Sequence, residues 1–357
     1  MSKKKFNLNK NVLLGCVVLF GQYAFGDATI YGKISLSTDY ISQSLGNNLT
    51  RVSSNTSRIG FKGDEILDEQ LKLIWQIESG INVDDGSNSS FATRNSFIGL
   101  TSNGATIKLG KHDTPYKLLG YKMPQILGGS VGDITGFSGI FHRIDQRPSN
   151  AILTQYSTGK IDIGYMYATK EETTNNAVIN SAGINYADQN YGYELGWQQN
   201  KNTKYDYSSL PTNTVNAKLA GGFIKCKKAQ LSLAVEEIND SYHQLNKMTM
   251  LTTELTSNSK FDIIYATSNQ ESINGTGSAY EIVLAGEYSL SKRTAIIAGT
   301  GIIQNSNTNI NFGANWLPLT MPKDNDLKFY TLGIKHSFWF NTLNYTCSNV
   351  LQLDYFG

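Results

Sequence analysis

The chain has 357 residues, of which 40% are hydrophobic and 17% are charged. This composition is too apolar and too aromatic for a disordered chain, and no Pro-, Gly- or Ser-rich linker divides it into separate domains. The formal net charge is +2, but residues 1–26 hold four of the 31 lysines and arginines and none of the 29 acids, which leaves 27 basic against 29 acidic residues. Since no basic stripe or tail remains, a nucleic-acid partner is not indicated.

Residues 1–26 have the pattern of a secretory signal peptide. Lysines precede the apolar stretch Val12–Phe20, and the small residues Ala24 and Gly26 close the segment. An apolar stretch of this length is too short to cross a membrane as a helix, so we predict an exported chain that is cleaved after residue 26. The letters "LLGC" at 13–16 leave a lipoprotein signal as the alternative.

Beyond residue 26 the sequence favours neither membrane-spanning helices nor bound metals. No apolar run reaches about 18 residues, which is the length that a spanning helix requires. Cys226 and Cys347 permit one optional bridge, which is not a disulfide framework. The four histidines of the sequence are not spaced as metal ligands, so no metal or other cofactor is predicted.

Most of the remaining chain alternates between apolar and polar side chains. The period of two is clear in "IDIGYMYA" (161–168), "YGYELGWQ" (191–198) and "YTLGIKHSF" (330–338), and it predicts strands with one apolar and one polar face. Short polar joints lie at residues 101–104, 157–160, 187–190, 258–260 and 290–294. Longer polar segments lie near residues 42–55, 82–92, 114–150, 170–180, 201–213, 238–248, 269–278 and 305–327. Eight long loops separated by short turns predict sixteen strands.

The polar faces of these strands are rich in charge, which distinguishes a membrane barrel from a soluble sandwich. The charged residues on these faces include Lys33, Arg58, Lys72, Glu78, Lys108, Glu194 and Glu287. A packed core would not hold so many unpaired charges, whereas a water-filled lumen can. Closure into a barrel also satisfies every backbone group in lipid. We therefore predict an all-β, transmembrane, antiparallel β-barrel. Aromatic residues expected at its two rims are Tyr31, Tyr40, Tyr165, Tyr167, Tyr265 and Tyr288.

Five segments, taken in chain order, resemble one protein family. They are "ATIYGKISLSTDY" (28–40), "SRIGFKGDEILDEQLKLIWQIESG" (57–80), "TRNSFIGLTSNGATIKLGKHDTPY" (93–116), "EYSLSKRT" (287–294) and "YTLGIKHSF" (330–338). These segments resemble strands and turns of the general diffusion porins of Gram-negative bacterial outer membranes. The resemblance covers nearly the whole chain after the signal.

This resemblance implies a sixteen-stranded barrel that assembles as a homotrimer, with its third loop folded inward. The longest connection, residues 114–150, takes the position of that loop. The implied function is passive diffusion of small hydrophilic solutes and ions, which requires no catalysis and no cofactor. The implied partners are membrane lipid, lipopolysaccharide and the machinery that assembles barrels in the outer membrane.

The resemblance also implies a constriction in which basic groups on the wall face acidic groups on the loop. By strand parity, the inward-facing basic residues are Lys33, Arg58, Lys62, Lys72, Arg94 and Lys108. We predict that Lys33, Arg58, Lys72, Arg94 and Lys108 line the pore wall. The predicted loop residues are Asp133, Arg143, Asp145 and Arg147. An excess of basic groups at a constriction favours small anions.

Members of this family end at an aromatic residue of the last strand, which the assembly machinery reads as a terminal signal. Phe338 fits that position, so we predict a barrel domain over 27–338 and an atypical tail over 339–357. Three interpretations of the tail compete. It returns to the periplasm or lumen, it reflects a last strand that ends near Phe340, or its "LQLDYF" replaces the signal.

Two other kinds of outer-membrane barrel serve as alternatives. Barrel lipases and proteases need a nucleophile held beside a base, and no Ser and His are recognisably paired in this sequence. A non-conducting, surface-binding or adhesin barrel would carry its activity on the outer loops near 201–213, 238–248 and 305–327.

Overall fold

A computed structural model describes residues 28–87, 90–119, 125–135, 139–141, 144, 147–169, 177–203, 214–240, 242–272, 275–308 and 323–341. The strands in this part of the chain are β1 (Ala28–Gln43), β2 (Leu49–Ser54), β3 (Arg58–Ile66), β4 (Lys72–Gly80), β5 (Ser96–Ser102), β6 (Ala105–Lys111), β7 (Ala151–Ser157), β8 (Ile161–Thr169), β9 (Val178–Ala187), β10 (Tyr191–Lys201), β11 (Thr214–Cys226), β12 (Ala229–Asn239), β13 (Tyr242–Thr256), β14 (Ser259–Ser272), β15 (Gly275–Ser289), β16 (Thr294–Ser306) and β17 (Leu327–Asn341). A four-residue helix, α1 (Pro115–Leu118), follows β6.

These segments form one antiparallel sheet that closes on itself. Each strand pairs with its neighbours along the chain, and β1 pairs with β17 from Thr29↔Asn341 to Gln43↔Leu327. Both β2 and β3 pair with β1, so they are two parts of a single barrel strand that is interrupted between them. The described residues therefore form a closed barrel of sixteen strands, and the predicted fold class is confirmed.

The alternating sequence divides every strand between an inner and an outer face. On β12, Leu233 is 53% exposed and the adjacent Ala234 is 4% exposed; on β17, Leu332 is 62% exposed and Thr331 is 6%. Large apolar side chains cover the outer face, as a barrel wall in contact with lipid requires. Among the predicted rim aromatics, Tyr31 is an exception, because it faces inward.

The turns agree with the sequence prediction, but three of the predicted long loops are wrong, because most of residues 42–55, 238–248 and 269–278 lie in strands. β12 and β13 are joined by residues 240–241, and β14 and β15 by residues 273–274. The polar residues near these connections belong to the strands, since Gln244 and Asn246 are buried on the inner face of β13. Along the described stretches of the chain, no helix is long and apolar enough to span a membrane.

The last strand extends beyond Phe338. Phe340 and Asn341 pair with Ile30 and Thr29, so residues 339–341 belong to the barrel and not to a separate tail. Phe338 lies on the outer face, where its ring covers Gly32; a Cβ at Gly32 would lie 2.3 Å from the Phe338 Cζ. Residues 342–357 and the predicted signal, 1–26, lie outside the described residues.

The apolar core lies inside the barrel, between the wall and the connection from β6 to β7, which we call the third loop (112–150). Loop residues in this core include Ile126, Leu127, Val131, Ile134, Ile140, Phe141 and Ile144. They pack against inner-face residues of β11–β17, such as Val215, Met250, Val283 and Phe329. Burial of these side chains, at about 25 cal/mol per Å², holds the loop against this side of the wall.

Candidate functional site

Two arginines contact one carboxylate on the wall formed by β1, β3 and β4, and a lysine lies beside them. Glu78 of β4 lies 2.5 Å from the Nε of Arg94 (Oε1) and 3.6 Å from the Nε of Arg58 (Oε2). Lys33 is directly opposite Arg58 in the pairing of β1 with β3. We call Lys33, Arg58, Glu78 and Arg94 the wall cluster. With three cations and one anion, its formal charge is +2.

A tyrosine and a glycine complete the support of Glu78. The hydroxyl of Tyr31 donates to Glu78 Oε2 at 2.9 Å. Its ring covers Gly60, where a Cβ would be only 2.4 Å from the Tyr31 Cζ. Gly60 is opposite Glu78 in the sheet, so the absence of a side chain at residue 60 lets the tyrosine reach across β3. Lys62, on the same face, places its Nζ 5.4 Å from the centroid of the Tyr31 ring.

A second inward ion pair adjoins the wall cluster. Lys335 of β17 is bonded to Glu287 of β15. Lys335 is also one of the charged neighbours of Lys33, together with Arg58, Arg94 and the loop carboxylate of Asp133. The basic side chains on β1, β3 and β17 therefore form a continuous positive region on the inner face.

Two other predicted wall residues lie apart from this cluster. Lys72 is at the opposite end of β4 from Glu78, and its Nζ is 3.8 Å from Asp64. Six residues along a strand correspond to about 20 Å, so Lys72 does not join the cluster. Lys108 faces inward on β6, where its Nζ lies 4.7 Å from the centroid of the Phe97 ring.

The acidic residues of the third loop are bound within the loop and at its base. Asp133 accepts hydrogen bonds from the backbone N–H groups of Gly129 (2.6 Å) and Thr135 (2.9 Å), from the Thr135 hydroxyl (2.7 Å) and from Gln125 (3.2 Å). Burial raises the pKa of Asp133, and these hydrogen bonds oppose that shift. The carboxyl of Asp133 is used to shape the loop tip.

Asp113 also has a structural role, at the start of the third loop. Its Oδ1 lies 2.8 Å from Arg147 and 3.4 Å from Lys117, and Asn95 donates to its Oδ2 at 2.9 Å. Burial raises the pKa of Asp113, but Lys117, Arg147 and Asn95 outweigh it, and the net pKa lies below the ordinary value. This carboxylate therefore joins the two ends of the loop, because Arg147 lies close to β7.

His112 stands beside this ion-pair group. Its Nδ1 is 2.7 Å from the backbone oxygen of Asp113, and its Nε2 is 3.4 Å from the Nζ of Lys108. Burial, with the nearby charge of Lys108, lowers the pKa of His112 to about 4. The ring is therefore neutral near pH 7.

Hydrogen bonds attach the loop to strands on the far side of the barrel. The Tyr116 hydroxyl donates to Glu236 of β12, and the Tyr116 N–H donates to Ser181 of β9 at 3.0 Å. Further along, the Ile126 N–H donates to Asp262 of β14 at 2.7 Å. The loop thus crosses the inner face from β9 to β14, and its tip continues past β16 to the interruption between β2 and β3, where Gly129 meets Thr56.

Glycines on the inner face make room for this path. A Cβ at Gly196 of β10 would lie 2.1 Å from Leu119, and one at Gly299 of β16 would lie 2.6 Å from Leu127. Since real Cβ atoms do not approach other atoms so closely, these positions require glycine if the loop is to lie against the wall.

Strand parity predicts which side chains face inward, but it does not predict which of them meet. Glu78, Tyr31, Lys335 and Asp113 carry the observed contacts, and only the register between strands brings them together. Two predicted loop residues, Arg143 and Asp145, lie outside the described residues.

Residues 15–308 match the family model described as "Gram-negative porin". The chain belongs to the Gram-negative porin family. Among its relatives, the major outer membrane protein P.IB of Neisseria gonorrhoeae is 24% identical over 319 residues, a match that spans 79% of this chain and 89% of the relative. P.IA of Neisseria meningitidis serogroup C is 36% identical over 101 residues, or 28% of this chain and 25% of the relative.

Solved porin structures share the fold. The anion-selective porin from Comamonas acidovorans superposes with a TM-score of 0.73 at 21% identity, covering 88% of this chain and all of that one. OmpF of Salmonella typhi, in a complex with daunomycin, gives a TM-score of 0.63 at 16% identity and covers 87% of this chain and 97% of its own. At these identities the likeness concerns the fold alone.

This porin is an outer-membrane channel. Small hydrophilic solutes and ions diffuse through it passively.

Proposed function

We propose that this porin conducts small anions in preference to cations. The supporting observation is the wall cluster, where Lys33, Arg58 and Arg94 face the lumen around the single carboxylate of Glu78. A channel lined by a net positive charge attracts anions and repels cations.

The acidic residues of the third loop do not cancel this charge. Asp133 is hydrogen-bonded within the loop tip, and Asp113 is paired with Lys117 and Arg147. Asp113 is therefore neutralised by its two cations, and a full negative charge on Asp133, which acts on Lys33, would still leave the wall cluster with a net charge of +1. The C. acidovorans porin is named as anion-selective, which agrees with this proposal without establishing it.

In this proposal the third loop narrows the channel, and solutes are discriminated by size and charge. Pore-lining roles belong to Lys33, Arg58 and Arg94, with Lys108 at the base of the loop. Lys72 lines the lumen at the other end of the barrel. No enzymatic activity is part of the proposal, because diffusion requires no reacting group.

Assembly completes the proposal. Residues 1–26 direct export and are removed, Phe338 is the residue that the assembly machinery reads, and three copies associate in the outer membrane in contact with lipopolysaccharide. We expect the residues after Asn341 to slow assembly. Outer-membrane yield of the full chain should therefore be lower than that of a chain that ends at Asn341, and equal yields would contradict this expectation.

The decisive experiment is a single-channel recording of the signal-cleaved protein in a planar bilayer under a salt gradient. We expect conductance steps in groups of three and a reversal potential of the anion-selective sign. A cation-selective sign would overturn the proposed preference, and the absence of conductance from a folded barrel would overturn the channel itself.

A further inference from the structure

We propose that the tip of the third loop packs against the interruption between β2 and β3, and that contact between Thr56 and Gly129 sets the free width of the channel. This inference rests on the proposed constriction. It assigns to residues 55–57, which carry no charge, a role in solute discrimination.

The interruption adds one residue to the barrel strand. β1 pairs with β2 at Leu36↔Ser54 and with β3 at Lys33↔Arg58, and the two registers differ by one residue. The backbone of Thr56 has a positive φ of 52°. An extra residue with this conformation is a β-bulge, which bends a strand and redirects its side chains.

The bulge places Arg58 in the lumen. Ser53 is on the inner face of β2, opposite Ser37, and Arg58 lies five positions further along the chain. In an uninterrupted strand, residues an odd number apart face opposite sides, so Arg58 would face lipid. The extra residue reverses the alternation, and both Ser53 and Arg58 face inward.

Hydrogen bonds to β1 make the bulge rigid. The Asn55 N–H donates to the Ser35 carbonyl oxygen at 2.8 Å, and the Ser35 N–H donates to the Ser57 hydroxyl at 3.0 Å. The Asn55 side chain donates to Ser37 at 2.8 Å, and Ser37 in turn donates to the buried Asp39 at 2.7 Å.

Asp39 extends this support to the neighbouring strands, since Ser53 (2.6 Å) and Thr331 (2.7 Å) also donate to it. A buried network with so many donors to one carboxylate fixes the position of the surrounding backbone.

The loop tip meets the bulge at a glycine. Gly129 has a φ of +82°, and a Cβ there would lie 2.6 Å from Thr56 Cγ2 and 2.7 Å from its Oγ1. The Gly129 N–H donates to Asp133, so the hydrogen bonds that shape the tip also fix this contact. Nearby, a Cβ at Gly132 would lie 2.3 Å from the Phe329 ring. The tip therefore lies as close to the wall as its backbone permits.

The test uses Gly129→Ala and a matched control. Gly159 has a φ of +86°, and a Cβ there would meet nothing within 4 Å, so Gly159→Ala carries the same backbone strain without the contact. We expect Gly129→Ala to displace the tip into the lumen and so to lower single-channel conductance and the size limit for sugars in liposome swelling. Gly159→Ala should leave both at the wild-type level.

A rescue variant separates contact from strain. Thr56→Gly removes the opposing side chain at a backbone conformation that glycine adopts readily. In the Thr56→Gly, Gly129→Ala double variant we expect conductance to return to the wild-type level. Wild-type conductance in Gly129→Ala, or a loss that Thr56→Gly does not reverse, would overturn the inference.

The proposed anion preference is read separately, from the sign of the reversal potential in the wild-type channel. A cation-selective sign would overturn the anion preference. If the variants nevertheless show the expected conductances, the proposed contact between Thr56 and Gly129 would still stand.

Discussion

Arg94 holds Glu78 by two bonds: its Nε lies 2.5 Å from Glu78 Oε1, and its backbone N–H donates to the Glu78 carbonyl oxygen at 3.0 Å. The connection from β4 to β5 is thereby fastened to the inner face of β4. As a result, the guanidinium of Arg94 is fixed on the same carboxylate as that of Arg58, although Arg94 is not in a strand. The position of the positive region therefore depends on these two contacts between Arg94 and Glu78.

Removal of either arginine charge should weaken the anion preference. One unit charge about 10 Å from a permeating ion contributes ~0.4 kcal/mol in water, favourably for an anion and unfavourably for a cation, so the anion-to-cation permeability ratio changes by ~0.8 kcal/mol, or about fourfold. We expect this decrease in Arg58→Met and Arg94→Met, measured by reversal potential in a salt gradient.

The control is Lys72→Met, which removes an inward charge farther from the cluster than the Debye length of about 8 Å at physiological salt. A shift in Lys72→Met as large as that in Arg58→Met would contradict the assignment of the wall cluster.

Glu78→Gln should act in the opposite direction. It removes the one carboxylate of the wall cluster while keeping a side chain that can accept from Tyr31 and Arg94. We expect the anion-to-cation permeability ratio to rise by about fourfold, on the same Coulomb estimate. A ratio that falls, or stays at the wild-type value, would show that Glu78 does not contribute to the field in the channel.

Alternation along each strand predicted the barrel wall and the inward direction of Lys33, Arg58 and Lys108, and the spacing of turns and loops predicted sixteen strands. It was insufficient for the site, because parity gives the face of a residue and not its height on the wall. Lys72 and Glu78 share a face of β4 at opposite ends of the strand. Parity also fails across a bulge, and only the pairing with β1 reveals the extra residue before Arg58.

Tyr116→Phe should loosen the third loop. The substitution removes the hydroxyl that donates to the buried Glu236, and leaving a buried polar group without its donor costs about 1–3 kcal/mol. We expect more frequent brief closures in single-channel traces. Tyr165→Phe is the control, since it removes a hydroxyl that donates to Asn180 at an exposed position. Equal closure rates in the two variants would argue against a role for Tyr116 in holding the loop.

Acid should weaken the base of the loop through His112. The pKa of His112 is lowered to about 4 by burial and Lys108, whereas an unfolded histidine titrates near 6.5. Between about pH 4 and 6.5 the unfolded chain binds more protons, so stability falls as the pH falls through this window, by up to roughly 3 kcal/mol. His112→Gln should flatten this part of the profile of melting temperature against pH in detergent.

His336→Gln, which changes an exposed histidine on β17, serves as the comparison. An acid slope in His112→Gln that matches the wild-type slope would exclude His112 as its source.

Truncation should show that the barrel needs residues 339–341. A chain that ends at Phe338 loses the pairing of Trp339, Phe340 and Asn341 with β1, and also the contact of Arg293 with the Trp339 ring at 5.4 Å. We expect this chain to unfold at a lower temperature than a chain that ends at Asn341. The unfolding temperature is read from the change in gel mobility after samples are heated to increasing temperatures. Equal unfolding temperatures would mean that these three residues do not stabilise closure.

The pairing of β1 with β17 also governs the timing of assembly. These strands come from opposite ends of the described chain, so their contacts have the largest sequence separation in the fold. Contacts between distant parts of a chain form late, because closing the long intervening segment costs conformational entropy before the contacts can stabilise the fold. Until then both outermost strands present open hydrogen-bonding edges that invite pairing with other chains. The growing sheet must therefore be shielded until its final strand arrives, and a factor that occupies one of these two edges would serve that purpose.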